Sequence, residues 1–318
     1  MAIEPQHTVQ LSIVAPIYNE AATVPALCER LGAAAKQVVG DSYEIILVND
    51  GSRDHSLEAL RTAARQDAHV RFFSLSRNFG HQIAVSAGLD YSRGQAVVII
   101  DGDLQDPPEV IPELWAKYRE GFKVVYAKRR KRDGETFFKL FTAKLFYRLL
   151  KRITSVEIPL DTGDFRLIDR VVVDALNQMP ERHKFLRGQI SWIGFRQSYV
   201  EYDRHARVAG ATGYTLSKML KFAVDGITAF STYPLKVATW AGFLVSGLAF
   251  MLIVYALVSK FIWHEAVEGW PSLMISSMFI GGVQLLSIGI IGEYIGRIND
   301  DVKRRPLYFL EESSEEKG

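Results

Sequence analysis

"VVIIDGDLQDPPEVI" spans Val97–Ile111, and its reading decides the fold. Apolar β-branched residues lead into Asp101, a glycine and Asp103, and Pro107–Pro108 follow. A short apolar run closed by turn formers reads as a strand buried in a parallel sheet. Ligands of open α/β sheets sit beyond the carboxyl ends of such strands. Two carboxylates one residue apart at that tip repel each other unless a cation or a set of donors stands between them. A cation-held ligand is therefore expected there.

Working outward, strand-like runs recur along the first part of the chain: "LSIVAP" from Leu11, "YEIILVND" from Tyr43, "VRFFSLS" from Val70, "QAVVIIDGD" from Gln95 and "KVVYA" from Lys123. Helical patterns separate them at Ala21–Ala35, Ser56–Gln66, Gln82–Ser92 and Pro107–Glu120. This alternation predicts βαβ units and a parallel sheet. Asp54 or Ser56 can cap the second helix, and Pro107–Pro108 suits the first turn of the fourth. No G-x-G-x-x-G follows the first strand and no G-x-x-x-x-G-K-[ST] occurs, which speaks against a dinucleotide enzyme or a P-loop ATPase.

Carboxylates gather at the strand ends: Glu20 in "APIYNE", Asp50 in "VNDGSRD", then Asp101 and Asp103. Singly, such a residue is more often a helix cap or a solvated turn. Together at one sheet edge they suit Mg²⁺ or Mn²⁺, whose shell is completed by phosphate and water. Gly102 leaves room for close backbone approach.

The chain has 318 residues and a net charge of +2, which argues for neither nucleic acid nor a strongly acidic partner. The single Cys28 excludes an internal disulfide framework and a Cys-based zinc site, and it fits a reducing compartment. The start, "MAIEPQHTVQ", lacks the basic-then-apolar order of a secretory signal. No charge lies between Lys236 and Lys260 or between Glu268 and Glu293, and Trp240, Trp263, Trp270 and Tyr294 flank these stretches. Both are long enough to cross a bilayer, at about 236–260 and 269–293. Lys218, Lys221 and Lys236 precede the first span, and Arg297, Lys303, Arg304 and Arg305 follow the second. The positive-inside rule then places both termini in the cytoplasm, at the plasma (inner) membrane. The expected organisation is a cytoplasmic domain over 1–210, an amphipathic juxtamembrane segment over 211–234, two transmembrane helices within 235–296 and a cytoplasmic tail over 297–318.

"SIVAPIYNE", "ILVNDGSRD", "LSRNFG", "IDGDLQDPPE" and "DTGDFRL" together resemble the landmarks of family 2 glycosyltransferases with the GT-A (Rossmann-like) fold. More narrowly, with the paired spans, they resemble the polyisoprenyl-phosphate glycosyltransferases. These include the dolichol-phosphate mannose synthases and, closest in layout, the bactoprenol glucosyltransferases of the GtrB type. The resemblance covers about residues 10–305.

It implies that Pro16, Tyr18, Asn19 and Glu20 surround the nucleotide and that Asp50 contacts its uracil. Asp101–Gly102–Asp103 becomes the D-x-D element, with Asp101 and Asp103 as metal ligands and Asp103 on the diphosphate, and Gln105 lies near the sugar. Asp161 takes the candidate base position, with Asp164 as a second. The chain departs from the pattern at His81, where relatives often have Lys, leaving Arg77 as the basic residue of that loop. Arg207, Gly210 and Tyr214 fit an R-x-x-G-x-S-K-Y element near the donor phosphates. Thr212–Gly213 replaces its Ser-Lys, and Arg204 is a candidate substitute cation.

The implied reaction is attack by a lipid phosphate on the anomeric carbon of a nucleotide sugar, inverting and metal-dependent. The resemblance points to glucose from UDP-glucose and to undecaprenyl phosphate as acceptor. GDP-mannose or another UDP-sugar is the alternative donor, and a non-catalytic membrane adaptor is the alternative of another class. A processive synthase would carry Q-x-x-R-W, which is missing. The basic run after the fifth strand reads as a solvated loop, an attachment to anionic lipid or an acceptor site. Arg129, Arg132 and Lys139 are its candidates for the acceptor phosphate, since a cation is needed there and Arg can grip phosphate with two donors. "FFKLFTAKLFYRLLKRI" beyond it suits an interfacial helix. Gly292 and Gly296 form a G-x-x-x-G that permits close packing within the hairpin or in a homo-oligomer.

Overall fold

The computed structural model describes residues 9–130, 162–203, 231–263 and 269–315. Four strands run parallel as expected: β1 (Leu11–Ile17), β2 (Tyr43–Asn49), β3 (Val70–Leu75) and β4 (Ala96–Ile99). Their connections are α1 (Val24–Val39), α2 (Ser56–Gln66) and α3 (His81–Asp90). A single 3₁₀ turn, Pro108–Val110, leads into α4 (Ile111–Arg119) and then β5 (Val124–Arg129).

The parallel pattern stops at β4. β5 does not pair with it; β6 (Thr162–Asp169) lies between them, antiparallel to both, with Val97 opposite Ile168 and Val125 opposite Leu167. The chain continues through α5 (Arg170–Asn177) and α6 (Leu186–Ile193) to β7 (Gln197–Tyr202), which runs parallel to β5. Thr162–Leu167 of the landmark "DTGDFRL" therefore also belongs to a central strand. With β8 (Leu310–Ser313) the sheet has eight strands in the order β7-β5-β6-β4-β1-β2-β3-β8.

Both faces are buried, which explains why β1 and β2 read as unbroken apolar runs. Ile13, Ile45, Val98 and Phe165 pack beneath α1, α2 and α4, while Val14, Ile46, Val97 and Ile168 pack beneath α3, α5 and α6. α2 begins where expected, its first turn held by Asp54 Oδ1, which accepts from Ser56 N at 3.0 Å. α1 starts at Val24 rather than Ala21 because Glu20–Thr23 forms a turn of its own: Thr23 Oγ1 donates to Glu20 O at 2.8 Å.

The two apolar stretches form α7 (Tyr233–Val258), extended by a π-helical turn at Ser259–Trp263, and α8 (Trp270–Val302). Both are long and apolar enough to cross a membrane, and none of their most apolar segments is buried within the protein. A core helix would bury those side chains, yet Trp240 and Leu285 are both 72% exposed. The helices pack together, and Tyr294 OH donates to Ser231 O at 2.6 Å near their shared foot.

The tail departs from expectation. α8 runs past residue 297, and the chain then returns to the sheet as β8, antiparallel to β3. Arg61 clamps Glu312 with two hydrogen bonds of 2.8 and 2.5 Å, and Arg71 reaches Glu315 at 2.5 Å. Tyr308 OH donates to Asp90 Oδ2 at 2.8 Å.

Candidate active site

From β1 the chain order reverses between its neighbours β2 and β4, so the crevice at their carboxyl ends is the topological switch point of the sheet. Four loops meet there, and backbone bonds stitch them together. Pro16, one residue before the end of β1, is buried, and Tyr18 just beyond the strand is 45% exposed. Asn19 adopts a left-handed φ of 56°. Its Oδ1 accepts from Arg53 N at 2.8 Å and its own N–H donates to Ser52 Oγ at 3.0 Å. Glu20 N donates to Ser56 Oγ at 3.0 Å.

Asp50, just past β2, is buried and turns its carboxylate onto the loop after β3, accepting from Phe79 N at 2.7 Å and Gly80 N at 3.0 Å. Burial raises its pKa against the lowering effect of those two amides. Any contact of Asp50 with a base would share these oxygens. Gly51 is at φ +63°, and a Cβ there would lie 2.4 Å from Asn78 N, so the loop after β3 can pass directly over it. Arg77 stands exposed with its guanidinium 4.0 Å from the centre of the Phe79 ring.

The D-x-D loop is equally fixed. Gly102 is buried, and its carbonyl accepts from Thr23 Oγ1 at 3.1 Å. Asp103 Oδ1 accepts from Gln105 N at 3.1 Å. Asp106 is wholly buried, accepts from Tyr202 OH at 2.5 Å and lies 3.8 Å from Arg129 Nη2. Arg129 Nε in turn donates to Tyr202 OH at 3.3 Å. Arg129, expected at the acceptor phosphate, thus braces the D-x-D loop from the ends of β5 and β7.

A dense electrostatic node lies at Asp164. Its Oδ1 accepts from Arg187 Nε at 2.8 Å and Arg166 Nη2 at 3.1 Å. Its Oδ2 faces His81 Nε2 at 3.2 Å and Gln82 Nε2 at 3.4 Å. Burial alone would raise the pKa of Asp164, but Arg187, His81 and Arg166 hold it well below the ordinary carboxylate range. A carboxylate so held stays ionised near neutral pH and serves these cations as their shared counter-charge. Burial would lower the pKa of His81, yet its bond to Asp164 and the charges of Asp101 and Asp164 push it up to about 9.

Arg166 is 1% exposed, lies over the Tyr126 ring and also donates to Gly163 O at 2.9 Å. Neither Arg166 nor Arg187, Gln82, Asp106 and Tyr202 emerges as a site residue from the sequence. The available signals were an arginine inside a strand-like run and the arginine of "HKFLRG".

A divalent cation fits the D-x-D tip. Asp101 Oδ1 is buried without a hydrogen-bond partner, 3.6 Å from His81 Nε2. Burial, then the carboxylates of Asp164, Asp106 and Asp103, raise the Asp101 pKa, with His81 opposing. Among the described residues no group of three or more His, Cys, Asp or Glu could hold an ion unaided. An ion here would therefore need a phosphate-bearing ligand to complete its shell, as Mg²⁺ and Mn²⁺ commonly do. Asp161, Arg132, Lys139, Arg204, Arg207, Gly210, Thr212, Gly213 and Tyr214 lie outside the described residues, as do the basic run beyond Arg130, its helical extension and most of the juxtamembrane segment.

Residues 12–176 match the model of glycosyl transferase family 2, and residues 233–298 match the GtrB C-terminal hairpin. An uncharacterized glycosyltransferase of Bacillus subtilis (strain 168), YkcC, is 50% identical over 96% of this chain and 94% of its own length. The SfII prophage-derived bactoprenol glucosyl transferase of Shigella flexneri is 40% identical over 96% and 98%. The solved mannosyltransferase PcManGT of Pyrobaculum calidifontis overlaps 92% of this chain and 89% of its own at a TM-score of 0.45 and 15% identity. The chain belongs to glycosyl transferase family 2 and carries a GtrB-type C-terminal hairpin.

Proposed function

We propose that the protein transfers a sugar from a nucleotide sugar to a polyprenyl phosphate, with UDP-glucose as donor and undecaprenyl phosphate as acceptor. The observation that carries this reading is the placing of the acidic D-x-D tip opposite a cluster of guanidinium groups, in a domain tied to a hairpin of membrane-spanning length. The 40% identity to a bactoprenol glucosyl transferase supports glucose and a bactoprenol acceptor.

In the reaction, an acceptor phosphate oxygen forms a bond to the anomeric carbon while the bond from that carbon to the diphosphate breaks, inverting the configuration and releasing UDP. A phosphate monoester is largely dianionic at neutral pH, so the nucleophile needs little help from a base. Asp161 is then as much an orienting group as a proton acceptor. Asp101 and Asp103 would hold Mg²⁺ or Mn²⁺, which when bound offsets the charge developing on the leaving diphosphate. Tyr18, Asn19, Glu20, Asp50 and Arg77 would enclose the nucleotide, and Gln105 the sugar. The catalytic domain and both termini would face the cytoplasm at the inner membrane.

The test is product formation by purified protein in detergent with Mg²⁺ or Mn²⁺ and undecaprenyl phosphate, each nucleotide sugar offered separately. Lipid-linked glucose from UDP-glucose, lost in Asp103→Asn, is expected. A product from GDP-mannose alone would replace the donor, and no transfer from any donor with nucleotide binding intact would overturn the enzyme reading.

A further inference from the structure

The Asp164 node draws its guanidinium groups from outside the loops assigned to the donor. Loops following β1, β2 and β3 line the nucleotide side of the crevice, whereas Arg166 sits on β6 and Arg187 in the first turn of α6. Arg187 retains 25% of its side-chain exposure, while Arg166 behind it is buried with Nη1 lacking any hydrogen-bond partner. Two guanidiniums share the one carboxylate of Asp164, so the node favours a further anion. A buried donor left unpaired is costly, and an anion's oxygen would satisfy it.

The segment leading to Arg187 is fastened to the foot of the membrane hairpin. Arg182 N donates to Asp301 Oδ1 at 3.0 Å, and its guanidinium bonds the carbonyl of Arg305. His183 Nε2 lies 3.3 Å from Asp300 Oδ2 near the end of α8. A few residues on, Leu186 N donates to Gln82 Oε1 at 3.1 Å, and Arg187 reaches Asp164. The cations therefore stand where the membrane helix is joined to the catalytic sheet. A lipid's phosphate, held at the bilayer surface by its chain, approaches from that side.

We propose that Arg187, backed by Arg166, binds the phosphate monoester of the lipid acceptor. This rests on the polyprenyl-phosphate reading above and shifts the acceptor's charge recognition from Arg129 to α6. Asp164 is a positioning residue in this arrangement: it fixes Nε of Arg187 and so orients the guanidinium plane for phosphate.

The test is calorimetric binding of farnesyl phosphate to the full-length protein in detergent, with farnesol, inorganic phosphate and UDP as separate ligands. Arg187→Gln should weaken farnesyl phosphate at least tenfold and leave farnesol and UDP within twofold of the wild type. Arg187→Lys, which keeps the charge on Asp164, should fall between and guards against a folding defect. Equal farnesyl phosphate affinity in wild type and Arg187→Gln would overturn the inference. Loss of UDP affinity in parallel would also overturn it, by assigning the cations to the donor. So would inorganic phosphate bound as tightly as farnesyl phosphate. If binding behaves as expected but the wild type makes no lipid-linked sugar, the transferase reading fails and the phosphate site stands.

Discussion

Gly102 lies against the end of β1, so closely that a Cβ on it would stand 2.9 Å from the carbonyl oxygen of Pro16 and 2.5 Å from Ile17 Cδ1. Ile17 is itself wholly buried, which leaves it little room to yield. The glycine between the two aspartates is thus required by backbone approach within the protein. Gly102→Ala should displace Asp101 and Asp103 from the switch point at an overpacking cost of about 1–3 kcal/mol. Where the bound arrangement of the loop carries that cost, donor affinity falls by about fivefold to a hundredfold, at about 1.4 kcal/mol per decade. Titration with UDP and divalent metal checks it; unchanged affinity would mean that the loop is not set by β1.

Asp164 distinguishes a positioning role from a basic one. Asp164→Ala would leave Arg166, Arg187 and His81 facing one another without their shared counter-charge. Breaking a buried ionic group in this way costs about 3–5 kcal/mol. A clear fall in melting temperature, together with weakened acceptor binding, is expected in a thermal denaturation and binding series. Were Asp164 also a base, Asp164→Asn would lower kcat far more than its losses of stability and of donor and acceptor affinity account for.

The first four strands were legible because each is a buried apolar run, and α2 because Asp54 and Ser56 mark its start. The hairpin was legible from composition alone. β6 was not, because it carries the buried Arg166, a charge that no local pattern permits in a core strand. Its partner Asp164 is neutralised from α3 and α6, elements joined only by the fold. His81 was visible as a departure from the family pattern, but its place between Asp101 and Asp164 needed β6 beside β4. β8 escaped notice for a different reason. "LEES" is a short, acidic edge strand, and edges are built from such sequences to discourage further pairing.

The Tyr202–Asp106 bond gives a third prediction. Burial, then the charge of Asp106, pushes the Tyr202 phenol above its ordinary pKa, so it stays a donor throughout the physiological range. Tyr202→Phe removes that donor from a wholly buried carboxylate, with Arg129 Nη2 farther off at 3.8 Å. A loss of about 1–3 kcal/mol is expected for a buried acceptor deprived of its bond. Because Asp106 closely follows Asp103, the same change should raise the KM for donor several-fold. Thermal melts and steady-state kinetics on one preparation check both; a stability loss with unchanged donor KM would confine the bond to packing.

Docking of the tail should depend on pH. The hydrogen bond from Arg61 lowers the pKa of Glu312, with slight burial opposing it. A depressed carboxylate contributes stability above its free value, about 4.3 for Glu. That contribution is lost as pH falls through the lower, docked value. Asp90, which accepts from Tyr308 farther up the tail, responds oppositely: burial raises its pKa, so acidification favours its folded state. Exchange protection separates the two. The Ser76 and Ser314 amides donate to Phe309 O at 2.9 Å and Phe72 O at 3.0 Å, so they report β8 docking directly. Their protection, corrected for intrinsic rates, should hold at pH 7 and decline below about pH 4, beneath the free Glu range. In Glu312→Gln it should already be reduced at pH 7, with the acid decline flattened. Wild-type protection at both amides in that variant would show that the ladder bonds, and not the Arg61 clamp, hold β8 to the sheet.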